Sequence, residues 1–201
     1  MNSWVANEYG TIGQSGMENN ALIIDEYFSL AGWTPNAIAA ILSNMESESG
    51  INPARWENDS VGNLGKGLGL VQWTPASKLI VWISEQYFQG FLPNEDYLDG
   101  DNQLERIKYE LENGLQYKPT LQFKETFYEW ATSTKNPGYL AAAFMKNYER
   151  PSKQGWGVQM QRAKNARRWY IFLTGSDPGG WIPPGLLAIM KKSIDNQKGG
   201  L

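Results

Sequence analysis

The sequence predicts a mainly α-helical domain of about seven helices, with a small β-hairpin or glycine-rich loop beside a cleft. Apolar residues recur at helical spacing through most of residues 19–175. Cap-and-proline pairs, Thr34-Pro35, Thr74-Pro75 and Asn136-Pro137, punctuate that stretch as helix starts. The helical pattern fails in residues 50–73, where Gly62, Gly65, Gly67 and Gly69 gather with Asn52-Pro53 and Asn58-Asp59.

Residues 1–18 are polar with scattered glycine and read as an arm. Asn19 or Asn20 caps a helix with Leu22, Ile23, Tyr27 and Leu30 on its apolar positions, ending at Gly32. Thr34 caps the next, Pro35 takes its first position, and Ile38, Ile41, Leu42 and Met45 form its stripe. Gly50 and the residue before Pro53 stop it near Glu48. Beyond it, Leu68, Leu70 and Gln72 fit a short strand. Thr74-Pro75 opens a helix holding Leu79, Ile80, Trp82 and Ile83, and Asp101 or Asn102 opens one with Leu104, Ile107, Leu111 and Leu115. Phe123, Phe127 and Trp130 mark a short helix, and Asn136-Pro137 begins one with Leu140, Phe144 and Tyr148. The last long helix runs through Met160, Ala163, Trp169 and Leu173 to Gly175. The expected units are therefore an arm over 1–18, a helical domain over 19–175, and a segment over 176–201. That segment opens on the linker-like Ser176-Asp177-Pro178-Gly179-Gly180, and Leu186, Leu187, Met190 and Ile194 suit a short terminal helix.

Composition narrows the chemistry. The 201 residues are 41% hydrophobic and 19% charged, which are globular values and enough for one substantial core. With no His and no Cys, the chain lacks Ser-His-Asp triads, thiolate nucleophiles, disulfides and nearly all zinc sites. No cofactor is expected. The net charge is −3, and the cluster Lys164 to Arg168 falls inside a helical pattern, so a nucleic-acid partner is not expected. The first twenty residues lack the apolar core of a leader. The run Trp181–Met190 is too short to span a bilayer and contains Pro183-Pro184. The sequence reads as soluble, with any export depending on another route. Nine Trp residues are many for this length; each buries a large face yet keeps a polar N–H, so some suit the core and some a sugar-binding groove.

Asp, Glu, Tyr and Lys remain as acid–base candidates. Glu48 ends an apolar helix and is followed by a glycine-rich segment able to lie against it. A Glu donates a proton near neutral pH only if it retains one, and burial against apolar groups favours that. Met45, Ile51 and Leu68–Trp73 are the expected apolar neighbours. Glu48 also sits at the unfavourable end of a helix dipole, so helix stability does not account for it. Glu46 points to roughly the opposite side and is assigned to solvent or a salt bridge. An acid facing a cleft suits glycoside cleavage, where an inverting enzyme sets a base about 6.5–9.5 Å away to hold water. Glu57 and Asp59 are the nearby candidates, and Asp59 is favoured for its exposed-turn context, Asn58-Asp59-Ser60. Without a base, the sugar's own hydroxyl would attack. Ser47 and Ser49 have no His to activate them and suit local backbone bonding. No Gly-Lys-Ser/Thr follows Gly65, Gly67 and Gly69, which argues against a phosphate loop.

Glu48-Ser49-Gly50-Ile51-Asn52-Pro53, with Gly67-Leu68-Gly69-Leu70-Val71-Gln72 downstream, resembles the signature of goose-type lysozymes and soluble lytic transglycosylases. The closer likeness is to the phage tail lysozymes found at the tail knob of podoviruses infecting Gram-positive bacteria. It rests on Gly32-Trp33-Thr34, Asn44-Met45, Glu48-Ser49, Ile51-Asn52-Pro53, Trp56, Gly69 to Pro75 and Tyr148-Glu149-Arg150-Pro151, and spans about residues 20–173. The resemblance implies a lysozyme-like fold and cleavage of the β-1,4 bond between N-acetylmuramic acid and N-acetylglucosamine. It makes Glu48 the catalytic acid and Gln72 a cleft-lining residue, and likens Tyr148 to the late tyrosine of transglycosylases. It also places Asp59 in a loop where some members carry an Asp. Trp73 and Ser49 join Gln72 and Tyr148 as expected substrate contacts. The implied partners are bacterial peptidoglycan and other phage tail proteins; the implied location is the virion tail tip, or alternatively a host-produced lysin. Some members carry a metal-dependent peptidase domain, for which this chain has no His, so it reads as a single-activity protein or an excised domain. A lytic transglycosylase, an endolysin, and a wall-binding or tail-assembly module with a dead site are the alternatives.

Overall fold

Seven α-helices and almost no sheet make up residues 3–151 and 155–183, the part of the chain that a computed structural model describes. They are α1 (Gly13–Leu30), α2 (Pro35–Ser49), α3 (Ser77–Phe88), α4 (Gly100–Glu112), α5 (Phe127–Ala131), α6 (Pro137–Phe144) and α7 (Trp156–Thr174). The mainly α, lysozyme-like fold expected of the sequence is the fold observed. Among the described residues, β structure amounts to two isolated bridges, Trp56 to Leu68 and Leu68 to Trp73, so the glycine-rich segment is a looped cradle. The terminal helix expected from Leu186 to Ile194 lies outside the described residues.

Helix α2 is the axis of the core. Its residues Ala37 through Met45 are all buried, as befits a helix enclosed on every side. The Thr34 hydroxyl accepts from Ala37 N–H, Pro35 fills the first position, and Gly50 closes the helix in the left-handed conformation at φ 67°. Helices α6 and α7 pack against α2. Phe28, Trp33, Phe127, Trp130, Phe144 and Tyr148 form a continuous aromatic cluster beside them. Thr126 and Glu129 make a reciprocal capping box, which lets a helix as short as α5 hold its place.

Several boundaries differ from the sequence expectation. Helix α1 begins at Gly13, so Asn19 and Asn20 lie within it. Asn20 is buried: it accepts from Val5 N–H and donates to the carbonyls of Val5 and Ile51. A tertiary role has displaced the capping role. Thr74 does not cap α3; its hydroxyl donates to Gln72 O, the Thr74–Pro75 peptide is cis, and the helix starts at Ser77. Asp99, rather than Asp101 or Asn102, caps α4 by accepting from Asp101 N–H. Leu115 and Phe123 fall outside the helices expected to hold them. After Phe144 the chain widens into a π-helical turn, Met145–Glu149, ended by left-handed Arg150. Such widened turns often mark functional sites.

Candidate active site

The end of α2, the loop 55–74, α4 and the π-helical turn enclose a cleft of about 730 Å³. The loop is pinned at several points. Gln103 of α4 accepts from Leu70 N–H at 2.9 Å and donates to Pro53 O and Tyr97 O, each at 2.8 Å. Gly69, at φ 84°, lies so close to Gln103 that a β-carbon would stand 2.5 Å from Oε1. Asn52, fully buried, donates to the carbonyls of Asn7 and Gly10 and accepts from the N–H groups of Asn7 and Ala54. The N-terminal arm thereby braces the chain just after Glu48. Ile51 is held at φ 53°, uncommon for a β-branched residue, while its side chain is buried and its carbonyl accepts from Asn20.

Glu48 lines the cleft, but its surroundings are not the apolar ones expected. Met45 and Ile51 are turned into the core. Glu48 Oε1 instead lies 2.5 Å from Arg162 Nη2 of α7, and the same nitrogen lies 3.1 Å from Glu149 Oε2. The side chains of Glu48, Glu149 and Arg162 are 24%, 4% and 6% exposed. Burial pushes the Glu149 carboxyl well above the usual carboxylate range, against the opposing pull of Arg162 and with a further push from Glu48. Two carboxyls therefore share one guanidinium at the wall of the cleft.

A second buried carboxyl stands nearby. Glu110 of α4 receives hydrogen bonds from Trp73 Nε1 at 3.2 Å, Arg106 Nε at 2.9 Å and the Tyr148 hydroxyl. Burial raises it above the ordinary value, and the Tyr148 bond, Arg106 and the Trp73 bond hold the rise in check. Burial also raises the Tyr148 phenol, helped by the charge of Glu110, so it stays a donor.

The other expected site residues separate. Gln72 lines the cleft at φ 52° and donates to the carbonyls of Arg55 and Gly69, which shapes the cradle. Trp73 and Tyr148 line the cleft as well, each with its polar atom committed to Glu110. Ser49 is buried and bonds the carbonyls of Met45 and Leu70, tying α2 to the loop. Asp59 is exposed and ion-paired with Arg55 in a turn where Asn58 and Asp59 both have positive φ. Glu57 is the loop carboxylate on the cleft wall. It is held below the ordinary range chiefly by the Gly67 N–H bond at 3.0 Å, with help from Lys66. Glu46 pairs with Arg168 and accepts from Trp169 Nε1, as a salt-bridging role predicts.

Sequence reasoning missed Arg162, Glu149, Arg106 and Glu110. Arg162 occupies the buried stripe of α7, Gln159, Arg162, Ala163, Ala166 and Trp169, and Glu110 that of α4, Gln103, Leu104, Ile107 and Glu110. A charged residue at core spacing is the signal that could have found both.

The family model for phage tail lysozyme matches residues 19–173. The chain belongs to the phage tail lysozyme family. It is also 39% identical over 164 residues to Morphogenesis protein 1 of Bacillus phage B103. The aligned stretch covers 82% of this chain and 42% of that relative, so the chain spans less than half of the curated protein it matches. Among the described residues of this phage tail lysozyme chain, no helix is long and apolar enough to cross a membrane. No group of three His, Cys, Asp or Glu side chains there could hold a metal ion.

Proposed function

We propose that this phage tail lysozyme domain is a muramidase of the virion tail. It cleaves the β-1,4 bond between N-acetylmuramic acid and N-acetylglucosamine and so opens the host wall locally. The observation that carries this reading is the pair of unlike carboxyl environments on one cleft. Glu48 shares Arg162 with a buried carboxyl that burial drives toward its protonated form, while Glu57 is held ionised by the Gly67 N–H and Lys66. A carboxyl pushed up beside the guanidinium that Glu48 also meets, and another pushed down on the same cleft, supply the unlike environments within which acid and base roles can divide. Glu48 acts as general acid toward the glycosidic oxygen. Glu57, rather than the exposed and paired Asp59, is the second carboxylate suited to orienting water. Gln72 and Trp73 contribute cleft surface for the sugar. Other phage tail proteins are its natural partners in the virion, and the relative in phage B103, Morphogenesis protein 1, is named for a role in assembly.

Release of dye from labelled, purified cell wall tests the proposal. Wild-type protein releases dye, and Glu48→Gln, folded as judged by circular dichroism, loses at least about 100-fold in rate. Wild-type protein that is inert on several wall types points instead to a wall-binding or assembly module. Mass spectrometry of the products separates a reducing end from the anhydro-sugar of a lytic transglycosylase.

A further inference from the structure

Glu149 has no chemical step of its own in the reading above, yet its carboxyl is almost fully buried at the cleft wall. Its side chain comes from the π-helical turn and meets the same guanidinium nitrogen as Glu48. With both carboxyls ionised, the trio with Arg162 would carry a net negative charge at a site where Glu149 and Arg162 are nearly shut off from water. With one proton retained it is neutral, and burial favours the neutral cluster. The neighbouring charges are mostly engaged elsewhere. Arg106 pairs with Glu110, Arg55 with Asp59 and Lys66 with Glu57. Lys78 of α3 lines the cleft, and Lys146 and Arg150 flank Glu149 on its own turn. Neither Lys146 nor Arg150 is placed on the cleft wall, whereas Arg162 is in contact with both carboxyls.

We propose that Glu149 is a positioning residue that holds one proton in common with Glu48 across Arg162, so that Glu48 meets the glycosidic oxygen as an acid. This rests on the muramidase reading. The shared proton passes through Glu48 to the leaving oxygen as the C1–O bond breaks, and the bonding electron pair goes to that oxygen. Water then adds to C1 through its oxygen, its proton goes to Glu57, and both the pair and Glu57 return to their resting protonation by exchange with solvent. Burial, which drives the Glu149 carboxyl toward its protonated form, agrees with this geometry.

Glu149→Gln supplies the test. The substitution keeps the shape and leaves one carboxylate facing one guanidinium, a pair that favours the charged state. The alkaline limb of the kcat/KM profile should move about one pH unit or more toward acid, with the rate on the acidic side retained within a few-fold. Glu149→Asp, which keeps a carboxyl, should restore the limb part-way. Infrared spectra give a readout that needs no substrate. Wild-type protein at neutral pH should show a protonated-carboxyl band that Glu149→Gln lacks and Glu110→Gln retains. An unmoved limb, or a wild-type spectrum whose protonated-carboxyl band persists undiminished in Glu149→Gln, overturns the proposal. If wild-type protein fails to cleave any wall, the muramidase reading fails, while the infrared comparison still decides whether the proton is held.

Discussion

Replacing Arg162 by Met removes the one positive charge in contact with both Glu48 and Glu149 while keeping an unbranched side chain of similar reach. Removing one partner of a buried ion pair costs about 3–5 kcal/mol, because the charge left behind has no compensation. Glu48 is partly exposed, which favours the lower end of that range. The guanidinium also donates to Asn44 O at 2.7 Å, and losing that bond adds about 1 kcal/mol. A total of about 4 kcal/mol corresponds to a fall in Tm of about 8–16 °C for a domain of this size. The loss must also depend on pH. Glu149 is raised in the folded protein, and without Arg162 it rises further. A raised carboxyl contributes stability that is fully present below its unfolded value of about 4.3 and is lost as pH climbs through the folded value. The cost of Arg162→Met should therefore be small near about pH 4 and full above neutrality. Urea unfolding followed by circular dichroism across that range measures it. Placing the same change in a Glu149→Gln background should leave the cost at neutral pH within about 1 kcal/mol of its value in the wild-type background, since the proton held by the pair already neutralises one carboxyl and a single charge is stranded in either case. A loss below about 1 kcal/mol at neutral pH, or one equally large in acid, would refute the shared-guanidinium account.

Two further changes probe the loop that forms the other cleft wall. Asn52→Ala strips four backbone groups, one bond buried and three part-buried, of their partner and should cost about 2–4 kcal/mol, with faster hydrogen exchange at Asn7 and Ala54 and earlier proteolysis of the arm. Gly69→Ala combines a left-handed backbone with a β-carbon set against Gln103 and should cost about 2–4 kcal/mol, whereas Gly62→Ala, equally left-handed at φ 79° but facing open space, should cost about 1 kcal/mol. Equal costs for the two glycines, measured by chemical denaturation, would show that crowding at Gln103 adds nothing.

Local chemistry made much of the fold readable. Thr34-Pro35 and Gly50 bound α2 as their cap and stop roles require, because those signals are satisfied within one turn of chain. Asn20 and Thr74 misled for the opposite reason. Each carries a capping side chain, but partners distant in sequence or across a tight turn claim it. At the site, the position of Glu48 on the cleft wall was legible because it ends an apolar helix beside a glycine-rich loop. Its environment was not, since Arg162 lies 114 residues further along the chain. The expectation of apolar shielding for Glu48 rested on Met45, Ile51 and the Leu68–Trp73 segment; Met45 and Ile51 serve the core instead, while Val71 and Trp73 of that segment do line the cleft with Glu48. The preference for Asp59 over Glu57 rested on an exposed-turn context; in the structure that turn pairs Asp59 with Arg55, while Gly67 holds Glu57 on the cleft wall.

The charges of the site meet because the helices beneath them are thin. Ala37, Ala39 and Ala40 on α2, Ala141, Ala142 and Ala143 on α6, and Ala163 and Ala166 on α7 are all buried. Small residues let helix backbones approach, and two hydrogen bonds record the approach. Ser43 Oγ donates to Arg162 O at 2.6 Å, and Asn44 Nδ2 donates to Ala141 O at 3.1 Å, in each case from a side chain of α2 to the backbone of a neighbour. Short polar side chains reach a partner's carbonyl only across such narrow gaps. The same closeness carries Arg162 to the end of α2, where Nη1 bonds Asn44 O and Nη2 meets Glu48, and brings the turn after α6 near enough to present Glu149. Each of the three core helices thus leads to one member of the charged trio. The spacing of the core sets the distance between the two carboxyls, and with it whether they are near enough to share a proton.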